Sequence, residues 1–206
     1  MPLQNRVDPW GVISAVSARG TLLGNRGILH NKKKEIIKPY QHQNWVTCRL
    51  QFKDRKRKVM SPGTYTELFF LDEATAFAAG HRPCFECRRD RYNEFKTYWV
   101  KANLDMPVNE IKIAAINKVM HKERIQNRVK VTYQAKIEDL PDGTIFSIND
   151  SAYLIFKNKA YLWSFKGYGS PIKINRSDKV NVLTPHSVVN AFKLGFTPEI
   201  HNSITS

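Results

Sequence analysis

Two cysteines three positions apart, Cys84 and Cys87 in the stretch YTELFFLDEATAFAAGHRPCFECRRDRY (residues 65–92), constrain this chain more than any other feature. A Cys-x-x-Cys pair lets two thiolates reach one ion from a tight turn, and such a turn commonly opens a helix. Upstream, Asp72 predicts the cap of a short helix over Glu73–Ala79, and Gly80 can take the left-handed conformation that ends it. Downstream, Tyr92, Phe95, Trp99 and Ala102 recur at helical spacing, which predicts an amphipathic helix from Phe85 to about Ala102. The pair is therefore expected on a defined turn between two helices.

A third thiol, Cys48, lies in WVTCRLQF (45–52), whose alternation predicts a strand. The polar run that follows predicts a hairpin over 45–60, with Lys53, Arg55, Lys56, Arg57 and Lys58 near its tip. A solvated loop accounts for those charges, and so does a phosphate-contacting finger. Three cysteines, two of them in one short motif, suit a metal site in a reducing compartment better than a disulfide framework.

The charge balance narrows the partners. With 33 Lys and Arg against 18 Asp and Glu, the net charge of +15 favours a polyanion and salt-sensitive binding. The first residues lack the apolar run of a secretory signal, and no stretch approaches the roughly 20 apolar residues of a membrane helix, so a cytoplasmic protein with no membrane partner is expected.

Elsewhere the chain supplies scaffold. Val12–Val16 predicts a short strand, and Gly20, Gly24 and Gly27 mark a looped segment in which Arg19, Asn25 and Arg26 could hold an anion. A helix is expected from a cap at Asn109 to Glu123, with Ile111, Ala115 and Val119 on one face beside Ile113, Ile116 and Met120. From 129 the period changes to short aromatic-rich runs separated by turn signals, which predicts an antiparallel meander, as a sheet or small partial barrel. Thr184 and Pro185 predict a last helix that closes at Gly195. The expected fold is α+β, with a zinc-centred hairpin-and-helix region over 1–128 and the β meander with its helix over 129–206, as two regions or one compact domain, since no linker clearly divides the chain.

The string DEATAFAAGHRPCFECRRD resembles the metal-binding domain of the bacterial Ada DNA-repair protein, where two cysteines of a similar string bind zinc. Over most of its length the chain also resembles a set of uncharacterised bacterial proteins with the same motif. The Ada resemblance implies zinc and a link to DNA repair or processing. Together with the net charge it points to a nucleic-acid partner, DNA ahead of RNA, bound through Lys53, Arg55, Lys56, Arg57, Lys58, Arg88 and Arg89. It also implies a limit. Ada holds its metal with four cysteines, one of which accepts a methyl group, and that acceptor position falls on Asn44 here. A fourth ligand must be a histidine, a carboxylate or water. His30, His42 and His81 are candidates and His30 is favoured, completing a Cys48, Cys84, Cys87, His30 set.

Pro83-Cys84-x-x-Cys87 also matches half of the zinc deaminase signature, but neither His42-Gln43-Asn44 nor Cys48-Arg49-Leu50 carries the proton-shuttling Glu that such enzymes need. The remaining alternative to a binding protein is a metal-dependent hydrolase of nucleic acid or another phosphate ester, with Glu67, Glu73 or His121 beside the metal.

Overall fold

The computed structural model describes residues 1–53 and 58–204 of the chain. Its first sheet is assembled from short strands far apart in sequence: β1 (Arg6–Val7), β2 (Ile13–Ser14), β3 (Leu22–Asn25), β4 (Val46–Cys48), β5 (Leu68–Phe70) and, after the helix α1 (Glu73–Ala78), β6 (Arg82–Pro83). They lie in the order β2-β1-β5-β3-β4-β6. Asp72 caps α1 by accepting the Thr75 N–H at 2.8 Å, and Gly80 follows with φ of +83°. Both are local effects, and both fall where the residue types place them.

The hairpin expected over 45–60 does not form among the described residues. β4 is only three residues long, and its two edges are taken by β3, antiparallel with Leu23 opposite Cys48, and by β6, parallel with Val46 opposite Arg82. With both edges occupied, the residues after Cys48 have no place in the ladder.

Three helices follow from the middle of the chain. α2 runs Arg89–Asn103 and α3 runs Ile113–Arg124, starting four and three residues later than the sequence suggests. In α2 the first turn is used up by the cysteine turn, where the Arg88 N–H bonds Cys84 O at 3.1 Å. In α3, Asn109 sits in a turn closed by Glu110 N–H to Pro107 O at 3.1 Å, and the helix buries Ile116, Met120 and Arg124 while Ala115 and Val119 face out. α4 (His186–Lys193) packs on α2 and α3, and Phe77, Phe95, Trp99, Ile116, Phe192 and Phe196 form a shared core. Thr184 does not cap it, because its hydroxyl accepts the Ile145 N–H at 2.9 Å.

The second half is mainly strand. A small hairpin, β7 (Ile125–Gln126) with β8 (Val129–Lys130), leads into β9 (Tyr133–Lys136), β10 (Ile145–Ile148), β11 (Ser151–Phe156), β12 (Lys159–Ser164), β13 (Gly167–Ile172) and β14 (Lys179–Val182). β9–β14 make a second, antiparallel sheet in the order β13-β12-β11-β10-β14-β9, open at both ends rather than closed into a barrel. The fold is α+β. Among the described residues no helix is long and apolar enough to cross a membrane.

Candidate metal centre

Strand alternation decides which side chains meet around the cysteines, because successive residues on a strand face opposite sides of the sheet. On one face of the first sheet, Phe69, Leu23 and Cys48 lie in one row across β5, β3 and β4, since their backbones are in register. Glu67, Asn25, Val46 and Arg82 fall one row on, by continuation of the same register and of the β4–β6 pairing. Cys84 follows β6 with its N–H bonded to Thr47 O at 2.9 Å, which brings the Cys-x-x-Cys turn against the end of β4.

The three sulfurs of Cys48, Cys84 and Cys87 consequently lie within 4.8 Å of one another. Backbone N–H groups of Glu86 and Cys87 point at the Cys84 sulfur, and that of Arg49 points at Cys87. Hydrogen bonds from Cys48 and Cys87 pull the Cys84 thiol well below its ordinary pKa, whereas its bond to Cys84 pushes Cys48 up. One negative charge is thus already favoured among three sulfurs.

The cluster is braced from behind. Arg88, next to Cys87 and only 4% exposed, donates from Nη1 to Thr47 Oγ1 at 3.0 Å and places Nη2 2.8 Å from Glu73 Oε1 and 2.8 Å from Glu199 Oε2. Glu73 is 1% exposed, takes Arg91 Nη2 at 2.5 Å, and accepts the Glu199 N–H at 2.9 Å. Arg88 therefore ties the residue before Cys48 to the residue after Cys87. This use turns it away from the phosphate-contacting role expected of it, because both terminal nitrogens are engaged, by Thr47, the buried Glu73 and the exposed Glu199.

His30 is not part of the cluster. It is buried with Nδ1 2.6 Å from Thr66 Oγ1 and Nε2 3.2 Å from Ser61 O, so both ring nitrogens serve the loop between β3 and β5. His81 and His42 are not part of it either. His81 is wholly buried on the opposite side of the sheet, where it accepts Arg26 Nε at 3.2 Å and packs on Trp45 and Phe70. Among the described residues, no fourth Cys, His, Asp or Glu joins the three cysteines.

In front of the sulfurs lies a cavity of ≈ 900 Å³. Its walls include Phe52, Tyr65, Phe69, Phe85 and Tyr92, its charged groups Arg49, Arg82, Glu67 and Glu86. Arg82 is held at the back by neutral partners, Asn117 Oδ1 at 2.8 Å and Asn44 Oδ1 at 2.5 Å, and burial lowers its pKa to about 10. Two further cations rest on rim aromatics: Lys53 Nζ lies 5.2 Å from the Phe52 ring centre and Arg89 Cζ lies 4.5 Å from that of Phe85. Lys58 is exposed just before Val59 of the wall, while Arg55, Lys56 and Arg57 lie outside the described residues.

Of the acid–base candidates, Glu67 alone lines this cavity. Its Oε2 accepts the Met60 N–H at 2.8 Å, and its Oε1 is buried with no hydrogen-bond partner among the described residues. Two strand spacings, about 10 Å, separate β5 from β4, so Glu67 faces the cavity rather than the sulfurs. Glu73 is committed to Arg88 and Arg91, and His121 sits beyond the sheet, 2.9 Å from Arg124 and edge-on to Tyr40. Arg82 and the aromatic rim were missed at the level of sequence, although the two-residue period through Val46 and Cys48 points to that face.

Compared with known proteins, the chain matches no family model, no curated protein and no solved structure.

Proposed function

We propose that Cys48, Cys84 and Cys87 hold a zinc ion and that the protein binds nucleic acid across the mouth of the cavity in front of them. Three thiolates with backbone N–H groups aimed at two of the sulfurs are a donor set suited to zinc. When bound, the ion supplies a cross-link between β4 and the turn that opens α2. The observation that carries the binding reading is the pairing of cations with aromatics at the cavity, Lys53 on Phe52 and Arg89 on Phe85, with Arg49 also among the lining residues. Stacking surfaces interleaved with positive charge suit single-stranded nucleic acid, whose bases stack while its phosphates are neutralised. The net charge of +15 and the resemblance to the Ada motif support the same partner.

The test is anisotropy with single- and double-stranded oligonucleotides across a salt series, using zinc-loaded protein. The expected result is tighter binding of single strands, with an Arg49→Ala/Arg89→Ala variant losing about two units of the log–log salt slope. Absence of binding at low salt, or an unchanged slope in the variant, overturns the reading.

Glu67 favours a second reading, a metal-dependent hydrolase of a phosphate ester held in the same cavity. A buried carboxylate oxygen with no hydrogen-bond partner among the described residues, on a residue that lines the cavity, is suited to accept a proton. Under this reading Glu67→Gln abolishes turnover of a phosphodiester reporter and leaves oligonucleotide affinity unchanged; without turnover in the wild type, binding stands alone.

A further inference from the structure

The opposite face of the first sheet carries a second cavity, of ≈ 620 Å³, where the buried Arg26 and Arg124 meet the partly buried Lys130. Arg26 follows β3, Arg124 ends α3, and Lys130 comes from the β7–β8 hairpin, so distant parts of the chain bring these charges together. Arg26 is 2% exposed and Arg124 3%. Among the described residues none of the three forms an ion pair with a carboxylate. Arg26 donates from Nε to His81 and from Nη1 to Gly11 O at 3.0 Å. Arg124 donates to Gly80 O and Gln43 O, both at 2.8 Å, and Lys130 Nζ donates to Ala78 O. Arg26 Nη2 and Arg124 Nε have no hydrogen-bond partner among the described residues. Nη2 faces the cavity wall at Gly11, since a Cβ there would lie 3.5 Å from it. Asp8 reaches Arg26 and Lys130 only as a distant charge, and its Oδ1 accepts the Val12 N–H at 2.9 Å.

Cations withdrawn from water onto neutral acceptors are costly, because they leave water without gaining an opposite charge. The cost shows in their acidity. Burial lowers Lys130 to about 7, Arg124 to about 8 and Arg26 to about 9. A dianion placed among them offsets this cost, and the unpartnered guanidinium N–H groups are the donors it would take. The remaining walls carry the apolar Trp10, Ile36, Pro39 and Trp45, with Lys38 and Arg128 as further cations. The Arg26 and Arg124 Cζ atoms lie 4.2 and 3.9 Å from the Trp45 ring centre. The volume falls in the range of small-molecule sites, about 300–1,000 Å³.

We propose that this second cavity binds a phosphate monoester carried on an aromatic or apolar body, with Arg26, Arg124 and Lys130 holding the phosphate and the tryptophan walls the body. A free mononucleotide and the 5′-phosphorylated end of a nucleic-acid strand present the same chemistry. The site lies across the sheet from the cysteine cluster and shares no lining residue with the cavity there.

Calorimetry on the full chain tests it with thymidine 5′-monophosphate, thymidine, and one short single strand with and without a 5′-phosphate. The mononucleotide is expected to bind at least tenfold more tightly than the nucleoside if the ligand is free, and the phosphorylated strand at least tenfold more tightly than its 5′-hydroxyl form if the ligand is a strand end. Lys130→Met should weaken the preferred ligand about tenfold or more, while Glu94→Gln, at an exposed residue of α2, should not. If Lys130→Met does not fold, Arg128→Ala, an exposed residue of the same wall, should weaken it at least twofold. Equal affinity for phosphorylated and unphosphorylated forms of both probes, no binding of any of them, or a folded Lys130→Met variant of unchanged affinity overturns the proposal, whatever the outcome at the metal centre.

Discussion

Replacing Glu73 with glutamine tests whether the brace behind the cysteines is held by charge. The side chain keeps its size and one carbonyl oxygen, so packing and the bond from the Glu199 N–H are retained. What disappears is the anion beside Arg88 and Arg91, at 2.8 and 2.5 Å. Removing one partner of a buried pair costs about 3–5 kcal/mol when the other charge is left alone. Arg88 still has Glu199, but that residue is 62% exposed and its attraction is screened. We therefore expect a loss of about 3 kcal/mol, and a melting temperature lower by roughly 6–12 °C for a chain of this length. Urea denaturation of zinc-loaded protein provides the measurement, with Glu94→Gln as control. Glu94 pairs with Arg91 at the surface, 43% exposed, so its loss should stay within about 0.5 kcal/mol. If Glu73→Gln costs no more than Glu94→Gln, the brace is not electrostatic and the assignment of Arg88 to it fails.

Three other outcomes are expected. Cys84→Ser should lower zinc content by elemental analysis and lower the unfolding temperature together, and equal metal content in the variant would remove Cys84 from the ligand set. Gly80→Ala should cost about 3 kcal/mol in urea denaturation, since φ is +83° and the new Cβ would lie 2.3 Å from Arg124 Cδ and 2.7 Å from its Cβ; a cost below about 1 kcal/mol would show that Arg124 yields freely. In phosphate-free buffer, the stability of wild type relative to Lys130→Met should rise by about 2 kcal/mol between pH 7.5 and 9. Lys130 is lowered from 10.5 to about 7, so in that window the unfolded chain binds the proton that the folded chain has released, and raising the pH favours the folded state. A flat difference contradicts the burial of that amine.

What was legible in the sequence was local. The Asp72 cap, the left-handed Gly80 and the Cys-x-x-Cys turn each depend on neighbours within a few residues, and short aromatic runs after 129 could satisfy their backbones only as strands. Cys48 was found by counting thiols rather than from its strand, whose expected hairpin partner is replaced by β3 and β6. Pairing of that kind is set by distant segments competing for the same edges, and residue pattern does not encode the winner. The same holds for charge. Arg88 looked like a surface cation because arginine usually is one, yet two carboxylates from residues 73 and 199 draw it inside. Arg26 was noticed among its glycines, but Arg124 and Lys130 join it only through the fold, and Lys130 carried no local signal. His30 failed for a related reason: its sequence position allowed it to approach the cysteines, and Thr66 and Ser61 hold it elsewhere.

The first sheet is one residue layer thick between its two cavities. Asn25 lines the cysteine side and Arg26 the other, and Asn44 and Val46 likewise flank Trp45. Any shift of these two backbone segments is shared by both sites, with a single peptide unit as the whole length of the connection. Thermodynamics then requires symmetry: the factor by which zinc changes the affinity for a phosphate ester must equal the factor by which that ester changes the affinity for zinc. Four titrations close this cycle and measure how stiff so thin a partition is.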